Sequence, residues 1–419
     1  MRARCGASPR LIRNMKIVLF TETFIPKVDG IVTTLCQTVK QLSSLGHQVM
    51  IVAPDGGIDA FEQSRIVRVR GSAFPLYPEL CLSLPRASLR RVIEDFQPEV
   101  IHVAEPILLG VAGLYYGGGK HGGAMGLPLV VSYHTDLPKY LRYYRLGVLE
   151  PFIWTMLRIR HNRATLNLCT SVTMVRQLEE HQIPRVALWP GGVDADRFQP
   201  SRRCSAMRFR LTQGHPECSL LLYVGRLSVE KEIERLKPIL LAIPSARLAL
   251  IGDGPHRQAL CRHFAGLPVY ISGFLHGDDL ANAYASSDIF VMPSRTETLG
   301  LVVLEAMCSG VAVVAARAGG IPEMVEHGVT GFLFDTEGDA IASIRQLLDS
   351  RQRRETIGRA ARCGASKHSW KAATSRLVQH YRDACKMQPI GMSAAQSPRS
   401  PARSLLSAAS LSVIRKLLP

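Results

Sequence analysis

The segment DIFVMPSRTETLGLVVLEAMCSG, residues 288–310, opens with an apolar run of strand length, passes through a polar loop and enters an apolar helical stretch near Leu299. A strand buried on both faces and followed at once by a helix is the repeating unit of a parallel sheet covered by helices. Two carboxylates interrupt the pattern. Glu297 lies in the loop beyond the strand's carboxyl end, and Glu305 sits two turns into the helix among Leu301, Val302, Val303, Leu304 and Ala306. An unpartnered carboxylate is costly there, so Glu305 requires a basic side chain or ligand hydroxyls.

Working outward, the same unit recurs. LLLYVGR (220–226), RLALIGDG (247–254), PVYISG (268–273) and VAVVAAR (311–317) are further strand-like runs separated by helical segments. Upstream, MKIVLF (15–20), HQVMIVAP (47–54), VIHV (100–103) and PLVVSYHT (128–135) form a first series, with the helix-period stretch TTLCQTVKQLSSLG closed by Gly46. Between the two series, LWPGGVDADRFQPSRR (188–203) is rich in Gly, Pro and charge and reads as an interdomain connection. The expected fold is α/β, with two doubly wound Rossmann-like domains facing a central cleft.

Composition agrees. A chain of 419 residues with 47% hydrophobic content can bury two cores, which excludes a disordered or fibrous protein. No run of eighteen apolar residues marks a membrane-spanning helix, so membrane contact is expected to be peripheral. Ten cysteines without any C-x-x-C pair read as reduced thiols in an intracellular compartment rather than as a zinc site. The net charge of +17 is concentrated at the ends, five basic residues in 1–16 and five in 386–419 with no acid in either. Such a surface suits anionic lipid or phosphorylated ligands, or serves only as a solubilising surplus. The leader MRARCGASPRLIRN has the Arg-rich, acid-free character of part of a transit peptide but is short for one. The Ser, Pro and Arg-rich end reads as a low-complexity tail whose last piece, SLLSAASLSVIRKLLP, is either unstructured or a basic amphipathic helix.

Open parallel sheets bind ligands beyond the carboxyl ends of their strands, where helix N-termini offer unpaired N–H groups. Four places qualify. PKVDG sets Gly30 before a helix, although a turn glycine alone is weak evidence. SYHTD puts His134 after a buried strand, directed to the cleft or to a surface hydrogen bond. In GRLSVEKE, Arg226 and Lys231 can grip one anion such as a diphosphate from two sides, though either alone is more often a solvated charge. In the opening segment the amides of Thr298, Leu299 and Gly300 would face a phosphate.

The E-x7-E spacing from Glu297 to Glu305, together with GRLSVEK, IGDGP (251–255) and ARAGGIPEMVEHGVTGFLF (316–334), resembles the retaining glycosyltransferases of family four, which have the GT-B fold. The resemblance spans about residues 15–386. Within the family, FTETFIPKVDGIVTT, LYPELCLSLP, SYHTDLPKYL, ASSDIFVMPSRTETLGLVVLEAM and VVAARAGGIPE are most similar to the sulfoquinovosyltransferases of photosynthetic organisms. Mannosyl- and glucosyltransferases acting on lipids share much of the same sequence. The resemblance implies a leader over 1–14, an acceptor-side domain over 15–195, a nucleotide-sugar domain over 204–365, a helix over 366–386 crossing back to the first domain, and a tail over 387–419.

It also implies roles. Arg226 and Lys231 would hold the diphosphate and stabilise the leaving group; Glu305 would take the ribose hydroxyls; Glu297 the transferred sugar, with the amides of Thr298, Leu299 and Gly300 assisting. Gly30 would let its loop close on the diphosphate, His134 would hydrogen-bond the sugar, and the backbone near Phe274 and Leu275 would hold the base. Lys139 and Arg142 are candidates for a sulfonate. The alternative turns this stretch to lipid headgroups through Tyr140, Tyr143, Tyr144 and Trp154, or packs Trp154 on its own domain. The implied donor is UDP-sulfoquinovose and the acceptor diacylglycerol, with no cofactor, no metal and no nucleic acid. The implied location is a plastid envelope or the cytoplasmic face of a bacterial membrane. Two carboxylates invite a glycosidase-like acid and nucleophile pair; the family instead uses front-face attack assisted by the departing phosphate. Two positions depart from the family pattern: Gly191 stands where Asn is usual, and Glu232 where Gly is frequent. A nucleotide-sugar epimerase and a non-catalytic binding protein are the competing classes.

Overall fold

A computed structural model of the chain describes residues 14–74, 77–83, 88–118 and 123–387. The leader before residue 14 and the tail from 388, including SLLSAASLSVIRKLLP, lie outside the described residues, as does part of LYPELCLSLP.

The apolar runs of the first series become strands because both of their faces are covered. Lys16–Thr21 (β1), Gln48–Pro54 (β2), Ala60–Phe61 (β3), Ser64–Val69 (β4), Gly71–Phe74 (β5), Tyr77–Ser83 (β6), Val100–Ala104 (β7), Leu129–Tyr133 (β8), Leu166–Cys169 (β9) and Val186–Leu188 (β10) follow in chain order. Eight of them form one sheet in the order β10-β9-β8-β7-β1-β2-β4-β3, parallel except for the antiparallel edge β3; β5 and β6 pair separately. Ser219–Val224 (β11), Ala246–Ile251 (β12), Val269–Gly273 (β13), Ile289–Met292 (β14), Ala312–Ala316 (β15) and Gly331–Phe334 (β16) make a second, wholly parallel sheet in the order β13-β12-β11-β14-β15-β16. These are the two doubly wound domains expected from the sequence. Among the described residues no helix is long and apolar enough to cross a membrane.

Helix boundaries shift slightly. The first helix runs from Gly30 to Ser44, three residues earlier than its apolar period suggests, because the Asp29 carboxylate caps it by accepting from the Val32 amide at 2.8 Å. Gly46 follows its end at φ +83°, a left-handed position suited to glycine. The helix after β14 begins at Leu301 rather than Leu299, because Gly300 at φ +90° breaks the turn before it.

Leu377, Val378, Tyr381 and Ala384 of the final helix, Trp370–Met387, are buried in one core with Ile17, Leu19, Ile51, Leu35 and Val39 of the first domain. Burying Leu377 alone contributes roughly 1.5–3 kcal/mol. In each sheet the strand order reverses direction next to its first strand, between β1 and β7 and between β11 and β14. The loops leaving those strands diverge and open a crevice, which is where ligands bind in such sheets.

Candidate active site

In the second sheet, the crevice is formed by the loops after β11 and β14. The first of these is zipped to the loop after β12: the Gly225 amide donates to Ile251 O and the Leu227 amide to Asp253 O, both at 2.9 Å. A Cβ at Gly252 would lie 1.9 Å from the Gly225 carbonyl oxygen, so the first glycine of IGDGP is there for close backbone approach. Arg226 is half-buried on this loop, and its carbonyl accepts from the Tyr223 hydroxyl at 3.1 Å. Lys231 ends the turn Val229–Lys231 and donates from Nζ to Glu297 Oε1 at 2.6 Å, with the two side chains only 14% and 15% exposed. Burial opposes the ammonium charge, but Glu297, Tyr140 and Tyr223 outweigh it and hold the Lys231 pKa well above its ordinary value.

Glu305 forms no salt bridge among the described residues, and its hydrogen-bond partner is a tyrosine. Its Oε2 accepts from the Tyr284 hydroxyl at 2.8 Å, and burial pushes its carboxyl up to about 7 against the opposing effects of Tyr284 and Arg197. Phe274, just past β13, is 45% exposed and stacks on His276, and Leu275 packs against the domain core. The Thr298 hydroxyl crosses the cleft to donate to the His134 carbonyl at 2.7 Å. A Cβ on Gly30 would meet Leu301 Cδ1 at 4.0 Å, so the first helix of one domain starts opposite the helix that carries Glu305 in the other.

The crevice of the first sheet is lined differently. Glu22, buried after β1, accepts from the backbone amides of Ile107 (3.1 Å), Leu108 (2.6 Å) and Gly110 (2.8 Å) through Oε1 and of Leu109 (3.1 Å) through Oε2. Burial raises its pKa and these four amides oppose the rise. Glu105 follows β7 with φ +63°, and burial pushes its carboxyl up to about 7 despite a hydrogen bond from Thr135. His134 follows β8, is buried with Nε2 at 2.8 Å from Ser132 Oγ, and is pushed down to about 4 by burial, so its ring is neutral at physiological pH.

The stretch after His134 turns toward the second domain. Lys139 Nζ donates to the Arg295 carbonyl at 2.5 Å, Tyr144 donates to Glu230 Oε2 at 2.9 Å, Tyr143 is hydrogen-bonded to Glu232, and Tyr140 to Thr296. The reading that these tyrosines face lipid headgroups is therefore corrected: their hydroxyls are taken up by polar groups across the cleft. Trp154 is buried in its own domain, its ring stacked on His181 with centroids 3.5 Å apart. Arg142 forms a two-bond pair with Glu150 at 2.8 Å on the surface, which commits its guanidinium away from a sulfonate.

Both departures from the family pattern have a local cause. A Cβ at Gly191 would lie 2.6 Å from Leu299 Cδ2 and 2.9 Å from Leu301 Cδ2, so Asn there would require these two leucine side chains to move. Glu232 occupies a left-handed position (φ +50°, ψ +37°) that favours glycine, and its carboxylate is held by Arg235 at 3.5 Å and Arg295 at 3.9 Å. Its charge is thus answered locally. The sequence reading gave no role to Glu22, Glu105, Glu230 or Glu323. Glu323, within IPE, caps the helix Val172–Glu180 of the other domain by accepting from the Val172 and Thr173 amides at 2.8 and 2.7 Å and from the Thr173 hydroxyl at 2.8 Å. Its place in a quoted motif was the available signal.

Comparison with known proteins covers both domains. Glycosyltransferase Family 4 matches residues 28–197, and Glycosyl transferases group 1 matches residues 213–363. The sulfoquinovosyl transferase SQD2 of Arabidopsis thaliana is 39% identical over 381 residues, covering 88% of this chain and 73% of that protein. A GDP-mannose-dependent alpha-mannosyltransferase of Mycolicibacterium smegmatis is 35% identical over 378 residues, covering 88% of this chain and 97% of its own length. Among solved structures, sucrose-phosphate synthase from Thermosynechococcus elongatus has a TM-score of 0.72 at 21% identity, covering 88% of this chain and 99% of that one, a likeness of fold.

Proposed function

Because the chain belongs to glycosyltransferase family 4 and is a retaining enzyme of the GT-B fold, we propose that it moves sulfoquinovose from UDP-sulfoquinovose to diacylglycerol. The observation that carries this reading is the Lys231–Glu297 pair, a cation and an acid joined at the crevice of the second sheet, beside Thr298, which bonds the His134 carbonyl across the cleft. The identity to a sulfoquinovosyl transferase supports the donor.

The chemistry follows from what each group can do. The diphosphate takes Lys231 from Glu297 and lies against Arg226, which stabilises the charge that grows on UDP as the C1–O bond breaks. Glu297, released, accepts from hydroxyls of the sugar; Glu305 accepts from the ribose, and the Phe274 ring covers the base. The acceptor hydroxyl attacks C1 from the face the phosphate is leaving and gives its proton to the departing phosphate oxygen, so configuration is retained without a protein nucleophile. With two fixed cations at the diphosphate, the reaction as proposed needs no metal or cofactor.

A membrane supplies the acceptor. Val148, Phe152 and Ile159 are 86%, 65% and 63% exposed beside Arg145 and Arg158, an apolar and basic surface on the acceptor-side domain suited to peripheral contact with anionic lipid. In a photosynthetic eukaryote that membrane would be the plastid envelope, in a bacterium the cytoplasmic face of its membrane. A mannosyl or glucosyl donor is the competing reading, favoured by the mannosyltransferase likeness. Incubating the purified chain with diacylglycerol vesicles and a panel of UDP and GDP sugars decides between them. Sulfolipid formed from UDP-sulfoquinovose supports the proposal, turnover with GDP-mannose alone replaces it, and donor conversion without lipid points to an epimerase.

A further inference from the structure

A line of four buried polar groups runs from the final helix to the cleft. The Tyr381 hydroxyl is 2.7 Å from His102 Nδ1, His102 Nε2 is 2.9 Å from Ser132 Oγ, and Ser132 Oγ is 2.8 Å from His134 Nε2. His102 lies on β7 and Ser132 on β8, and Ser132 and His134 share one side of their chain because side chains alternate along a strand. Each member is buried, and the edges of both imidazoles meet the Trp189 ring, with centroids 5.6 and 5.7 Å away. Trp189 thus packs against both rings.

We propose that Tyr381 is a positioning residue that fixes, through His102 and Ser132, the tautomer in which His134 presents an Nδ1–H donor to the donor sugar. The direction of the line follows from counting protons. Burial pushes His102 down to about 3 and His134 down to about 4, so each neutral ring carries one N–H. Tyr381 is 1% exposed, and His102 Nδ1 is its hydrogen-bond partner among the described residues, so the phenol must donate there. His102 is then protonated on Nε2 and donates to Ser132 Oγ, and the serine hydroxyl donates to His134 Nε2. His134 keeps its proton on Nδ1, which has no protein partner among the described residues. Reversing the line would leave a buried phenol hydrogen without an acceptor, a costly state.

This inference rests on the proposed function only for what Nδ1–H meets; the tautomer itself exists without any ligand. It also gives the last helix a part in the site beyond covering the first sheet, although Tyr381 comes 247 positions after His134 in sequence.

The test reads the tautomer directly. In ligand-free protein labelled with 15N-histidine, His134 Nδ1 should resonate as a protonated nitrogen and Nε2 as an unprotonated one. Tyr381→Phe keeps the ring and its packing but removes the proton that sets the direction, so the two His134 signals should move toward each other as tautomers mix. Ser132→Ala, which interrupts the line next to His134, should do the same if Tyr381→Phe fails to fold. With an active donor, kcat should fall about tenfold in either variant while the KM for the nucleotide sugar stays unchanged, and the double variant should lose no more than one of them. His134 protonated on Nε2 in the parent protein, or signals unmoved in both variants, overturns the proposal. Absence of turnover with every sugar would instead overturn the functional reading and leave the tautomer result standing.

Discussion

The two crevices face each other and differ in where their cations lie. That of the second sheet is cationic, with Lys231 and Arg226 on the loop after β11. That of the first is acidic and neutral, with Glu22 and Glu105 after β1 and β7 and an uncharged His134 after β8. Their charges are also satisfied differently. Lys231 is held by a side chain that a ligand can displace, whereas Glu22 is held by four backbone amides that nothing displaces. Under the proposed function this difference would sort a donor by its parts, the wall with Lys231 and Arg226 taking the diphosphate and the other wall the hydroxyl groups. One wall holds an ion pair that a ligand can exchange, and the other a carboxylate fixed by backbone amides.

The largest effect should come from breaking the cationic wall. Lys231→Ala removes the displaceable partner of the leaving group and should lower kcat by about 10²–10³ in a lipid transfer assay, with circular dichroism unchanged. A smaller loss would mean that Arg226 suffices. The acidic wall should respond in stability instead. Glu22→Gln keeps a carbonyl oxygen for the Ile107, Leu108 and Gly110 amides but turns an NH₂ toward the Leu109 amide, and urea unfolding should show a loss of about 1–3 kcal/mol. If stability holds and turnover collapses, Glu22 belongs to the chemistry and the contrast between the walls fails. On the same half of the molecule, Phe152→Asp with Val148→Asp should weaken binding to anionic vesicles more than tenfold and leave turnover of a soluble acceptor analogue unchanged, as a sedimentation assay would read.

The two walls were also unequally legible in the sequence. The cationic one was visible because its residues sit in short motifs right after strongly apolar strands, as in LLLYVGR and DIFVMPS. The buried strands announced themselves in the same way. β9 with its central Asn167, the two-residue β3 and the four-residue β16 carry too short an apolar signal to stand apart from their neighbours. The acidic wall was illegible because a lone glutamate becomes informative only through what surrounds it. Nothing in TETFIP shows that Glu22 will meet amides 85 to 88 positions later, and nothing in VAEP shows that Glu105 will be forced into a left-handed turn. The contacts across the cleft, Tyr144 to Glu230 and Glu323 to Thr173, are as remote as the line from Tyr381 to His134. Departures from a pattern misled in the other direction: Glu232 looked like a stray charge near the phosphates, but Arg235 and Arg295 absorb it.

Glu305 offers the finest test, since it is an acid placed inside the cationic domain. With its carboxyl pushed up to about 7 by burial, it is mostly protonated at pH 6 and mostly ionised at pH 8 in the free enzyme. The ionised form accepts from both ribose hydroxyls, so binding favours it and draws its pKa down. The sign follows: affinity for a UDP-sugar, whose diphosphate does not titrate in this range, should rise by slightly less than about tenfold from pH 6 to pH 8 and then level off. Near pH 7 binding should release a proton, which calorimetry in buffers of different ionisation enthalpy detects. The unliganded protein should show the complementary trend, because a carboxyl whose folded pKa is raised contributes stability that is full below its unfolded value and lost as pH rises through about 7. Glu305→Gln should flatten both curves while keeping the Tyr284 contact. A pH dependence that survives unchanged in Glu305→Gln would mean that another group sets it and would overturn the ribose role of Glu305.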